Sequence, residues 1–380
     1  MKILIINWRD PTHPWAGGAE VFLNEVACRW VKAGHSVTWF CGKHESQNQQ
    51  DCIEGIDFYR RGSIYSVYPA AAVTYLSRFQ RRFDVLLEST NGIPFFTTFY
   101  SNIPKVTLVH HVHGEVFMDE LPWYLAYPGR ALEYFGFQFA YKNTPFIAVS
   151  DSTKQALIEI GIPEKQITII HNAVDGAVYK PGIKSQTPLI VFVGRLRHYK
   201  RVDVAIRAMP HLLSKIPELQ LIIIGSGPME SSLLELTKKL GLTNNIQFTG
   251  YVDQATKIKY MQRAHIAVHP SMKEGWGLTV LEFNACVTPV VASNVLGLRD
   301  SVIDGETGVL VPFANPKALA DELLRLLQDH DRRSQMADKA MAWAAQFNWD
   351  RTAQQCLTML RDQIEKPGPK KRKSRRDHEK

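Results

Sequence analysis

The chain has 380 residues, 45% of them apolar and 22% charged, enough for two ordinary domains with a core apiece. Its formal charge is +8, but residues 366–380 hold eight Lys/Arg against Asp377 and Glu379 and so carry +6 of it. The remaining body is nearly neutral, which argues against a nucleic-acid-binding face on the folded part.

The tail, opened by Pro367-Gly368-Pro369, reads as a disordered basic appendage. It suits weak, salt-sensitive attachment to an anionic membrane surface; a merely solubilising role is the plainer alternative. The apolar start, Met1–Asn7, is too short for a signal peptide, and no run of about 18 uncharged apolar residues forms a transmembrane candidate. Cys28, Cys41, Cys52, Cys286 and Cys356 include no Cys-x-x-Cys pair, so reduced thiols in a cytoplasmic protein are expected.

Taken in order, Lys2–Asn7 reads as a buried strand. A loop with Pro11, Pro14, Gly17 and Gly18 follows, then a helix over about Ala19–Ala33 ended by Gly34. Further strands are expected at His35–Cys41, Val85–Glu88, Lys105–His110, Pro145–Val149 and Thr168–Ile170. The pattern restarts after Pro181-Gly182, with strands at Leu189–Val193, Leu219–Ile224, Gln247–Thr249, Ile266–His269, Pro289–Val291 and Val309–Val311. A helix is expected over about Val202–Ile216, and three more over Pro316–His330, Arg332–Phe347 and Trp349–Glu365. Strands alternating with helices imply an α/β protein with parallel sheets. Two such series imply two Rossmann-like domains facing across a cleft. The first spans 1–182 and is completed by the helix at about 349–365; the second spans 183–348. In such sheets ligands bind beyond the carboxyl ends of the strands, so loops after strands carry the chemistry.

Two of these loops stand out. In Gly194-Arg195-Leu196-Arg197-His198-Tyr199-Lys200, Arg195 and Lys200 follow a strand and suit a diphosphate, although a solvated basic loop would look the same. In the segment from Ser271 to Glu282, a glycine-bearing turn leads into a helix. Free N–H groups at Gly277, Leu278, Thr279 and Val280 would make an anion site. Glu274 and Glu282 flank that turn, and a carboxylate facing the cleft can accept hydrogen bonds from the vicinal hydroxyls of a sugar or ribose. Either glutamate alone would more often be a surface acid or a helix cap. The spacing Glu-x7-Glu around Gly275-Trp276-Gly277-Leu278 is far more specific.

This segment resembles the Glu-x7-Glu motif of retaining glycosyltransferases of family 4, which have the GT-B architecture. The resemblance runs from Gly17-Gly18-Ala19-Glu20 to Trp349. It includes Ala148-Val149-Ser150, His171-Asn172-Ala173-Val174-Asp175, Gly194-Arg195-Leu196 with Lys200, Gly225-Ser226-Gly227-Pro228 and Asp304-Gly305-Glu306-Thr307-Gly308. Trp276 stands where Phe is common in the family, and Ala173 where Gly is common.

The resemblance implies transfer of a sugar from a nucleotide diphosphate sugar to a hydroxyl acceptor, with lipid-linked and glycan acceptors both open. It implies catalytic or donor-holding roles for Arg195 and Lys200 at the diphosphate, Glu274 at the donor sugar and Glu282 at the ribose. The amides of Gly277–Val280 would approach phosphate and ribose, and Gly17 and Gly18 would admit close approach of the first-domain loop. A His at the end of a first-domain strand would reach the reacting centre. Counting from Ile103-Pro104 selects His110, with His111 and His113 as alternatives. No cofactor is expected beyond the donor, and no metal: His-His-x-His on a loop is a poor zinc pattern, and two protein cations can take the metal's place.

A sugar phosphorylase or nucleotide-sugar epimerase on the same fold is one rival. An inactive binding protein using the basic tail is another, opposed by the intact Arg195, Lys200, Glu274 and Glu282. A dehydrogenase is disfavoured because no Gly-x-Gly-x-x-Gly follows the first strand. The region Gly92–Tyr141 is rich in aromatics: Trp123, Tyr124, Tyr127, Tyr134, Phe135, Phe137, Phe139 and Tyr141. These could line an acceptor pocket or lie against lipid, but for each of them burial in the core is the simpler expectation.

Overall fold

The computed structural model of the protein describes residues 1–366, so the basic tail beyond Lys366 lies outside the described residues. Two sheets organise the chain. The first contains β1 (Lys2–Ile6), β2 (Ser36–Cys41), β3 (Gln50–Ile53), β4 (Ile56–Arg60), β5 (Val85–Thr90), β6 (Lys105–Val109), β7 (Phe146–Ala148) and β8 (Ile167–Ile169). Their order is β3-β4-β2-β1-β5-β6-β7-β8, and only the β3–β4 pair is antiparallel. The second contains β9 (Leu189–Val193), β10 (Gln220–Ile224), β11 (Ile246–Gly250), β12 (Ile266–His269), β13 (Val290–Ser293) and β14 (Gly308–Val311). Its order is β11-β10-β9-β12-β13-β14, parallel throughout.

The helices of the first half are α1 (Gly18–Lys32), α2 (Val67–Thr74), α3 (Thr97–Tyr100), α4 (Val116–Glu120), α5 (Trp123–Phe135) and α6 (Asp151–Ile160). Those of the second are α7 (Val202–Leu213), α8 (Glu230–Lys239), α9 (Gln254–Arg263), α10 (Leu278–Ala285), α11 (Leu298–Ser301), α12 (Pro316–Gln328), α13 (His330–Ala344) and α14 (Trp349–Glu365). None is long and apolar enough to cross a membrane, among the described residues.

The strands are apolar on both faces because helices cover both. In β1, Ile3 and Ile5 face one core with Phe22 and Trp30 of α1 and Leu357 of α14. Leu4 and Ile6 face another with Phe40, Tyr59, Val67 and Tyr75. This is the period-two pattern of a strand buried on both sides. The last helix returns to the first domain. The Trp30 indole N–H donates to the Ala353 carbonyl at 3.0 Å, Arg29 pairs with Asp350 at 2.6 Å, and Thr352 Oγ1 donates to the His171 carbonyl at 3.0 Å.

Two features differ from expectation. The β3–β4 hairpin at the sheet edge was not anticipated. Its two-residue turn, Glu54-Gly55, has φ of 53° and 79°, the paired positive values of a type I′ turn. With Glu in the first place rather than Asn or Asp, its signal was weak. The aromatic region also differs. Phe137 and Tyr141 are in the core, but Trp123, Tyr124, Tyr127, Tyr134, Phe135 and Phe139 are exposed, so core burial fails for most of that set.

Candidate active site

Among the parallel strands of each sheet the chain order reverses once, between β1 and β5 in the first and between β9 and β12 in the second. Such a reversal sends the two flanking connections to opposite faces and opens a crevice at the strand ends. The loop after β9 carries Arg195 and Lys200. The loop after β12 carries Glu274. Facing them, the loop after β1 carries Gly17 and Gly18, and His110 directly follows β6, next to β5.

The two second-domain loops are locked together. The Met272 N–H donates to the Tyr199 carbonyl at 2.7 Å, and Lys200 Nζ pairs with Glu274 Oε1. Burial alone would raise the Glu274 pKa, but the Lys200 ammonium above all outweighs it, so the carboxyl is held below its ordinary value. Burial would likewise lower Lys200, and the Glu274 charge reverses that. The site therefore keeps one anion and one cation in a desolvated place, each ionised because of the other. His269 stands behind them: Nε2 lies 3.0 Å from Thr279 Oγ1, Nδ1 is 3.1 Å from Ser271 Oγ, and Glu274 is 3.8 Å away. Burial, partly opposed by Glu274, pushes its pKa down to about 4, so the ring is neutral.

Glu282 is buried one turn into α10 and held differently. Lys257 Nζ donates to both its oxygens at 3.0 Å, and Tyr179 OH donates at 2.6 Å. The helix begins at Gly277, whose φ of 77° calls for glycine. Its first turn is less open than the sequence implies. The Val280 N–H closes on the Gly277 carbonyl at 2.8 Å, which leaves the Leu278 and Thr279 amides as the ones facing out of the helix end.

Across the cleft, Gly17 begins α1. Its N–H donates to Glu20 Oε2 at 2.7 Å, and the space a Cβ would fill there lies 3.9 Å from the Arg195 guanidinium. Gly18 has open space beside it. Glu20, fully buried, also accepts from Asn7 at 3.2 Å and lies 3.5 Å from Arg9. The Arg9 pKa is lowered by burial, against Glu20, and then by Arg195 and Arg197, so cations from both domains converge here.

The three histidines divide into a lone ring, His110, and a stacked pair, His111 and His113. His110 packs its ring edge-on to Phe22 at 5.5 Å, and its buried Nε2 has no hydrogen-bond partner among the described residues. Burial pushes its pKa down to about 3. The His110 carbonyl meets the second domain directly: a Cβ on Gly275 would run into it. His111 and His113 stack at 4.3 Å. The His111 pKa lies well below its ordinary value, through burial first, then His113, Lys273, His110 and Lys200, so its ring shares the electrostatic neighbourhood of the second-domain cations. The loop that holds His113 is fixed from behind by Glu133 of α5, which accepts from the His113 and Gly114 N–H groups at 2.7 and 2.8 Å.

Trp276 ties the halves together, stacked on His171 at 4.3 Å and edge-on to Phe347 at 5.2 Å. Among the described residues, no group of three or more His, Cys, Asp or Glu is arranged to hold a metal ion.

Comparison with known proteins decides the family. A model described as "Glycosyltransferase Family 4" matches residues 16–177, and one described as "Glycosyl transferases group 1" matches residues 178–343. The chain belongs to the group 1, family 4 glycosyltransferases. An uncharacterised glycosyltransferase of Methanocaldococcus jannaschii is 25% identical over 97% of this chain and 100% of its own length. A D-inositol 3-phosphate glycosyltransferase of Corynebacterium diphtheriae is 35% identical over 48% of this chain and 44% of its own, so this similarity spans under half of that relative. Among solved structures, sucrose-phosphate synthase from Thermosynechococcus elongatus superposes with a TM-score of 0.80 at 22% identity, covering 95% of this chain and 98% of that one. HepE of Anabaena, solved in complex with UDP-glucose, gives 0.76 at 18% identity, covering 95% and 100%. These likenesses give the fold, the GT-B arrangement of two facing α/β domains.

Five residues of this site were not singled out from sequence: Lys257, Tyr179, His269, Glu20 and Glu133. Only Glu20 had a signal, a Gly17-x-x-Glu20 spacing like that of a capping box. The others arrive from distant elements, and nothing local marks them.

Proposed function

We propose that this transferase moves a sugar from a nucleotide diphosphate sugar to a hydroxyl acceptor, with the anomeric configuration retained and without a metal ion. The observation that carries the reading is the buried Lys200–Glu274 pair at the second switch point, with the Arg195 guanidinium beside it against Gly17 of the facing domain. When the bond from the anomeric carbon to the diphosphate breaks, negative charge grows on the departing nucleotide while the sugar becomes oxocarbenium-like. Arg195 and Lys200 stand ready for that charge, and fixed cations in a desolvated cleft need little reorganisation to meet it. Glu274 would then exchange part of its pairing with Lys200 for the donor-sugar hydroxyls. Glu282, with Lys257 and Tyr179 behind it, would take the ribose hydroxyls, and the Leu278 and Thr279 amides the phosphate. His110 would present its buried Nε2 near the reacting centre.

A uridine nucleotide is the first donor class to try, because the Anabaena neighbour was solved with UDP-glucose. The acceptor side would be the first domain. The decisive experiment is a screen of nucleoside diphosphates and their sugars by thermal shift, followed by assay of the stabilising donor with and without acceptors. Release of nucleoside diphosphate only when an acceptor is present supports transfer. Equal release without acceptor, or sugar phosphate formed from a glycan and phosphate, would sink it.

A further inference from the structure

The layer of helices over one face of the first sheet has an unusual outer side. It consists of α2 with the π-helical turn Tyr75–Phe79, the short α3, and α5 with the π-helical turn Gly136–Ala140. The pieces are contiguous. Tyr68 of α2 meets Phe95 at 4.9 Å, Tyr75 meets Tyr100 at 5.7 Å, and Gly136 sits so close to Pro94 and Phe96 that a Cβ there would strike Pro94.

Helix α5 turns Ala126, Gly129 and Glu133 inward. A helix of a water-soluble domain should then show charges on its other side. Here that side shows Trp123, 71% exposed, then Tyr124, Tyr127, Tyr134 and Phe135, and the turn beyond adds Phe139, 73% exposed. Phe99 of α3, 75% exposed, lies against Phe96 in the same layer, and Val73 and Leu76 extend the apolar surface along α2. Scattered exposed apolar side chains are ordinary; a continuous band of large aromatics marks an interaction surface.

The charges around the band choose the partner. Residues 63–82 and 121–143 hold Arg78, Arg81, Arg82, Arg130 and Lys142, all exposed, and a single acid, Glu133, which is buried beneath α5. Asp84 and Asp119 are exposed just beyond these stretches, so the outer surface of the band is aromatic with cations in excess. Trp and Tyr prefer the headgroup level of a bilayer, where the ring is sheltered and the polar tip stays wet, and Arg and Lys add attraction to anionic lipid. A second copy of this face would set the same cations against themselves.

We propose that this aromatic, cationic face of the first domain docks on an anionic lipid surface, with the side chains of α5 entering the headgroup region. The buried face of the same helix carries Glu133, which holds the His113–Gly114 backbone beside the cleft. Docking would therefore bring the cleft rim to the lipid surface. The inference does not depend on the transfer chemistry, and its test can fail while that reading stands.

The test is co-sedimentation of the full chain with vesicles of equal parts phosphatidylcholine and phosphatidylglycerol, at low and high salt. The substitutions Trp123→Ser, Tyr127→Ser and Phe139→Ser are combined in one variant. All three side chains are exposed, so the variant should melt at the wild-type temperature and bind nucleoside diphosphate as before. The basic tail alone would give binding that salt abolishes. The aromatic face predicts a salt-resistant component, reduced by about tenfold or more in the triple variant. Brominated lipid should quench part of the wild-type tryptophan fluorescence, and Trp123→Phe should remove that part. Equal vesicle binding by the wild type and the triple variant would overturn the proposal. So would a wild-type dimer in solution that the variant loses while neither binds vesicles.

Discussion

The two domains share a sheet plan but furnish the cleft with different materials. The second contributes charged side chains held in pairs, Lys200 with Glu274 and Lys257 with Glu282. The first contributes mainly glycines, backbone and neutral histidines, with one compensated pair: Gly17 beside Arg195, the His110 carbonyl against Gly275, the His110 and His111 rings, and Arg9 with Glu20. A strand-end loop keeps buried ions only if they are mutually compensated, because an unpaired buried charge costs several kcal/mol. A facing loop that must approach the first closely is better made of small residues and uncharged rings. The outer layers diverge as well. The exposed side of α12 carries Lys317, Asp321, Glu322 and Arg325, paired among themselves, whereas the outer side of α5 is aromatic.

The largest test of this contrast is Glu274→Gln, which keeps the shape of the side chain and removes the anion. Turnover should fall by about 10²–10³-fold. Lys200 loses its partner, so a melting curve must accompany the kinetics; near-normal turnover in a folded variant would remove Glu274 from the chemistry.

Gly275→Ala probes the other material, the close backbone approach. Its methyl group would strike the His110 carbonyl and hold the halves apart. The expected result is kcat lower by up to about 10²-fold, with nucleoside diphosphate affinity nearly unchanged, because a small misplacement at closure is costly. Loss of affinity equal to the loss of kcat would mean that Gly275 serves folding of the second domain instead.

Arg195→Ala and Lys200→Ala should each weaken nucleoside diphosphate by roughly 10-fold or somewhat more, and the bare nucleoside much less. Calorimetry with both ligands decides; equal losses would place the cations away from the diphosphate.

The neutral histidines predict a pH dependence. His110, His113 and His269 have folded pKa values pushed down to about 3, 4 and 4 from an ordinary 6.5, burial being the first cause in each. The unfolded chain therefore takes up protons below pH 6.5 that the folded chain refuses. Stability present above that pH is lost as pH falls toward 4, on the order of 1 kcal/mol per histidine. Glu133 acts in the opposite sense. Burial raises it to about 7, against its two amide donors, so its neutral form favours the folded state below that pH. Urea midpoints at pH 7 and pH 5 should show the net loss, and His110→Gln should make it smaller. A midpoint unchanged across that range would contradict neutral burial of these rings. The smallest expected effect is none: activity should persist in excess EDTA, and complete loss restored by Mg²⁺ or Mn²⁺ would overturn metal independence.

Much of the fold was legible locally. Strands such as Leu189–Val193 and Ile266–His269 fall where the apolar runs put them, and the break near Pro181-Gly182 separates the two sheets. Glu-x7-Glu was legible because both acids sit on one continuous loop and helix. The partners of those acids were not. Lys257 comes from α9 and Tyr179 from the segment before β9, and their meeting at Glu282 depends on how those elements pack. The aromatic band failed for a related reason. A window holding Trp, Tyr and Phe at nearly every position has no polar face to orient it, so hydrophobicity cannot say which side is inside. What turned α5 was its small residues, Ala126 and Gly129, and the buried Glu133 whose carboxylate found two backbone amides. The sequence by itself determined the alternation of strand and helix, the two sheets and the loops that carry charge, because these follow from local periodicity and residue chemistry. Only the tertiary structure decided which distant groups compensate those charges and which aromatics remain in contact with water, because both depend on contacts between elements far apart in the chain.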